Sequence, residues 1–122
     1  MASTTTNDYS RTFEFTAAAG GAYSLVAVDS DGKCSAAGDN NTDILCGVTT
    51  ADVASAGFGN VRFLNAGGTI EVLAGGDTIA VGDKVYSDGS GKVGTDSSNH
   101  HIGAALEASS TDGDVIEVLV KI

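Results

Sequence analysis

Of the 24 branched aliphatic side chains in this sequence, 18 are Val or Ile and six are Leu. Two heavy atoms on Cβ stiffen χ1, which costs little on a pleated strand and more in a helix. Seventeen glycines and no proline accompany them, so short strands joined by glycine turns are the natural reading. Turn-forming clusters recur at intervals of roughly ten residues, the spacing of a small barrel or sandwich. The 122 residues fit one domain, long enough to bury roughly two-thirds of its unfolded surface without metals or disulfides. The expected class is all-β: a small barrel or sandwich.

Charge narrows the function classes. Sixteen acids face six bases, a formal charge of −10. Nucleic acid and anionic membrane surfaces draw affinity from clustered Lys and Arg, and Arg11, Lys33, Arg62, Lys84, Lys92 and Lys121 are scattered. The expectation is no nucleic-acid and no membrane partner. No apolar run reaches the ~18 residues of a membrane span. The segment Met1–Asp8 has neither a basic nor an apolar signal region, so synthesis as a soluble cytosolic product is expected.

Residues 1–12 are polar and read as an extended, flexible N-terminal arm; residues 13–122 read as a single β domain. Phe13 and Phe15 share one face of a first short strand. Tyr23–Val28 is the first convincing strand, closed by the Asp29–Gly32 turn. Thr50–Gly57 has the capping chemistry of one helical turn. Further strands are expected at 44–50, 61–64, 69–73, around Val85–Tyr86, at 101–107 and at 115–120.

A weak repeat runs through the chain. Asp31-Gly-Lys-Cys34 resembles Ser90-Gly-Lys-Val93, Cys46-Gly-Val48 resembles Ile102-Gly-Ala104, and Val61–Leu64 resembles Val115–Val118. Two similar β units packing into one core is the simplest explanation.

Catalytic patterns fail one by one. Counting a calcium loop from Asp29 puts Cys34 and Asn40 where Gly and an acid of the loop are needed. The glycine-rich stretches lack phosphate-loop order, and no nucleophile elbow occurs. His100 and His101 are adjacent and would point to opposite faces of a strand. No catalytic residue, metal or cofactor is expected, and the chain does not read as an enzyme. A hairpin of residues 33–37 and 44–48 would set Cys34 opposite Cys46 and permit a disulfide. The favoured reading is two small, half-buried apolar residues in a reducing compartment.

Gly76-Asp-Thr-Ile-Ala-Val-Gly-Asp-Lys-Val85, followed by Ser87-Asp-Gly-Ser-Gly-Lys-Val93, resembles the capsid cement (head decoration) proteins of tailed bacteriophages. The close, Ile102-Gly-Ala-Ala-Leu-Glu107 and Gly113-Asp-Val-Ile-Glu-Val-Leu119, is similar to theirs as well. Physically this is a folding motif. Ile79 and Val81 are expected to point inward, Gly82 to permit the turn, Asp83 to cap it and Val85 to resume the core; Gly91 and Lys92 belong to the next turn.

The resemblance implies a virion protein on the outer surface of the capsid. It implies binding to the major capsid protein, stabilisation of the head and a homotrimeric state. On that footing Thr4, Thr5, Thr6, Tyr9 and Arg11 are candidate capsid contacts, adding a strand to an exposed edge of the shell. The alternative is a carbohydrate-binding or adhesin-like β module, although sugar sites favour stacking aromatics and the chain has no Trp and three Tyr. An enzyme subunit carrying a β-clip domain is a third.

Overall fold

A computed structural model describes residues 10–17, 21–36, 44–53 and 57–121. Among the described residues ten strands form two sheets, five strands to each. The first holds β1 (Ser10–Glu14), β2 (Leu25–Val28), β3 (Cys34–Ala36), β4 (Ile44–Thr49) and β5 (Phe58–Phe63), in the order β1-β5-β4-β2-β3. It curls until Phe15, just past β1, meets Cys34 in a parallel bridge. The second holds β6 (Thr69–Gly75), β7 (Lys84–Ser87), β8 (Val93–Gly94), β9 (His101–Ala105) and β10 (Asp112–Val120). It closes as a barrel, β10-β6-β8-β7-β9. A 3-10 turn, Leu64–Ala66, joins them.

The two halves are the same structure twice. An offset of 59 carries β1–β3 onto β6–β8: the parallel bridge Phe15–Cys34 becomes Ala74–Val93. An offset of 56 carries β4 onto β9, and both strands bulge at the same place, Cys46 in one and Ile102 in the other. An offset of 57 carries β5 onto β10, so Val61 matches Val118, both fully buried. The sequence match of Val61 to Val115 was three residues out. Val115 instead takes the place of Phe58, and both face outward.

Turn chemistry repeats as faithfully as the strands. The Asp29 carboxylate accepts the Asp31 and Lys33 N–H groups, and Asp88 accepts those of Ser90 and Lys92. Gly32 and Gly91 both sit at positive φ, 77° and 83°. Each unit has its own core, Phe13, Phe15, Val26, Cys34 and Val61 in the first, Val72, Ala74, Val85, Val93 and Val118 in the second. Five outward residues of the first unit, Leu25, Ala27, Leu45, Val48 and Leu64, pack against the second and join its core.

Several expectations change. Ser10, Arg11 and Thr12 lie in β1, hydrogen-bonded along β5, so the sheet starts ahead of Phe13. β3 and β4 are not a hairpin, because β2 lies between them and pairs with both. Tyr23 precedes β2 with φ at 64° and matches Gly82 at 91°. Among the described residues, Thr50–Val53 contain no helix, and 54–56 lie outside them.

Candidate docking surface

The cement-like motif builds a turn and a plug. Ile79 is buried and bridges to Ser109. The Ala80 N–H donates to the Asp83 carboxylate at 2.8 Å, and the Asp83 N–H returns to the Ala80 carbonyl at 3.0 Å. The Gly82 N–H then donates to the Ala105 carbonyl, and Val85 is fully buried. Val81, expected inside, is 66% exposed. The closed turn from 80 to 83 breaks strand alternation, so Ile79 and Val81 no longer share a face. Gly91 is buried at the junction of the units, its would-be Cβ 3.3 Å from the Leu25 carbonyl. Lys92 pairs with Asp112 at 2.8 Å.

Of the capsid-contact candidates, Thr4, Thr5, Thr6 and Tyr9 lie outside the described residues. Arg11 is exposed on β1, its guanidinium 4.6 Å above the Phe13 ring. It is a sheet residue whose charge lies over an aromatic face.

Cys34 and Cys46 are free thiols. They converge inside the first unit where Val93 and Ile102 fill the second, so the apolar role suits both positions. The Cys34 thiol is buried and hydrogen-bonded to Cys46, which raises its pKa far above the thiol range. The same bond, helped by Arg11, lowers that of Cys46. His100 and His101 do not converge on an ion: His101 stacks at 5.1 Å on Tyr86 and places Nε2 3.1 Å from the Gly103 carbonyl. Among the described residues, no group of three or more His, Cys, Asp or Glu is placed to hold a metal.

What the outer face of the barrel does offer is a groove, missed in the sequence. It measures about 500 Å³, floored by Gly82, Gly103, Ala104 and Leu119 and flanked by Lys84 and Lys121. Lys84, Ala104 and Leu119 stand directly across from one another on β7, β9 and β10. Leu119 is 48% exposed, and the lining contains no carboxylate. Among the described residues, Lys84 and Lys121 form no ion pair. In an acidic chain this is an uncommon surface. Its parts come from three separate stretches of the chain, so only strand pairing reveals it.

A duplicated β unit, its second copy closed as a barrel, with Asp and Gly spent on turns and an apolar groove on its flank, defines the class: an all-β structural module. The phage cement protein family matches the chain over residues 10–122, and the chain belongs to that family. Membership places it among the decoration proteins of phage virions. The fold is similar to that in "The crystal structure of head fiber gp8.5 N base in bacteriophage phi29". The TM-score is 0.72 at 23% identity, over 92% of each chain. No curated protein matches it.

Proposed function

We propose that this protein binds the outer surface of an assembled phage head, contacts the major capsid protein and reinforces the shell as a homotrimer. The observation that carries the reading is family membership over residues 10–122. The duplicated turns support it, because they spend the sequence's Asp and Gly on rigidity. Residues 2–9 ahead of β1 are proposed as one shell contact, laid as an added strand on an exposed coat-protein edge. Synthesis is in the host cytoplasm, with assembly onto the finished shell.

Heads lacking the protein, heated with and without the purified chain, provide the test. Added protein should raise the temperature at which heads release DNA. Image reconstruction of decorated heads should show density in threefold clusters on the outside. Unchanged release together with undecorated heads would remove the proposal.

A further inference from the structure

The two units meet head to tail. Within one chain, the Asp88–Lys92 turn of the second unit docks on the outer face of the first, where the Leu25 N–H donates to the Gly91 carbonyl at 2.7 Å. Gly91 lies against Ser24 and Ala36 there. A head-to-tail contact leaves two unused halves. One is the equivalent turn of the first unit, Asp29–Lys33: Gly32 is exposed with nothing within 4 Å of its would-be Cβ. The other is the equivalent face of the second unit, which is the Lys84–Lys121 groove.

The residue changes at the two free ends are complementary. The face that the second unit covers carries Leu25, Leu45 and Leu64, and the turn that docks on it beside Leu25 carries Ser90, which stays exposed. At the corresponding free positions the turn carries Asp31 and the face carries Lys84, His101 and Lys121, with Asp83 in place of Ser24 and its carboxylate held by the Ala80 N–H. A leucine face has become a mainly basic one, and the serine of the turn has become an acid. Lys33 of the free turn is paired with Glu14 at 3.6 Å, so Asp31 is left to meet an outside cation.

We propose that the Asp29–Lys33 turn of one copy docks in the Lys84–Lys121 groove of a second copy, repeating between chains the contact already made within each. The proposal rests on the homotrimer reading above and names its surfaces. In the repeated contact the Lys84 N–H faces the neighbour's Gly32 carbonyl, as Leu25 faces Gly91. Such a contact joins two different patches head to tail. Repeated, it builds a ring where the rotation closes, and the homotrimer reading requires closure after three copies. Charged rather than leucine side chains suit a face exposed until assembly.

The test is self-association of the purified full chain, followed by sedimentation at concentrations from about 1 μM to about 1 mM. Lys84→Glu and Asp31→Lys should each weaken association roughly tenfold or more with melting unchanged, and more severely at low salt. The double variant, Lys84→Glu with Asp31→Lys, should regain most of it. A wild-type chain that stays monomeric, single variants that associate normally, or a double variant that fails to recover would each overturn the proposal. So would a Lys84→Glu chain that loses head binding yet self-associates, since the groove would then serve the shell. Threefold clusters on heads with Lys84 turned away from the neighbouring copy would defeat this contact and leave the trimer standing. Self-association through these ends without threefold clusters on heads would do the reverse.

Discussion

At Gly47 and Gly103 the absence of a side chain does the structural work. A Cβ on Gly103 would lie 2.0 Å from the Leu119 carbonyl, and one on Gly47 1.9 Å from that of Arg62. Backbone cannot yield as a flexible side chain can, so Gly103→Ala should cost about 2–3 kcal/mol, read from denaturant melts. Nothing in the local sequence marks these two glycines as different from the turn glycines around them. The thiols behave differently again. With Cys46 half-buried and its thiol the more acidic of the pair, a thiol reagent applied to the native protein should modify Cys46 first and Cys34 only on unfolding. Mass analysis of the labelled peptides decides it, and equal labelling would mean the pair is not arranged as described.

Among the elements, the two Asp-led turns offer a controlled comparison. Asp29 and Asp88 each hold two backbone N–H groups in the same way, so removing either carboxylate should cost about 0.5–1.5 kcal/mol. The Asp88 turn also presents the Gly91 carbonyl to Leu25 across the unit boundary. Asp88→Ala should therefore lower the melting temperature more than Asp29→Ala, and equal losses would show that the boundary bond adds nothing. These turns were legible early, because an Asp followed by Gly-Lys needs those residue types at fixed spacing. The strands were less so. A Val-rich alternating strand resembles itself at short shifts, which is why Val61 was matched to Val115 while hydrogen bonding aligns it with Val118.

For the whole molecule, the unequal outer faces of the two units carry a prediction. Residues 10–66 alone would expose Leu25, Ala27, Leu45, Val48 and Leu64, which the second unit covers in the full chain. That fragment should aggregate under conditions that keep the full chain dispersed. Light scattering of the fragment and of the full chain checks this, and a soluble fragment would mean its face is not held by the second unit. The segment ahead of β1 belongs to this scale too. Because Ser10 already pairs with Arg62, a deletion confined to residues 2–9 should leave melting nearly unchanged while weakening binding to empty heads. Undiminished decoration by the shortened chain would end that part of the proposal.

By itself the sequence determined the all-β class, the turn positions and the existence of two related units. Those follow from side-chain shape and from turn residues acting over a few positions. It also carried the family, through the run from Gly76 to Val93. Tertiary structure alone decided that β2 separates the two cysteine strands, that Val81 turns outward, and that Arg11 belongs to the sheet. It alone assembled the groove from β7, β9 and β10 and left its turn-shaped complement free on the first unit. Strand order and the docking of one unit on the other depend on pairing between residues far apart in the chain, and a local pattern of Val, Gly and Asp is the same whichever partner each strand finds.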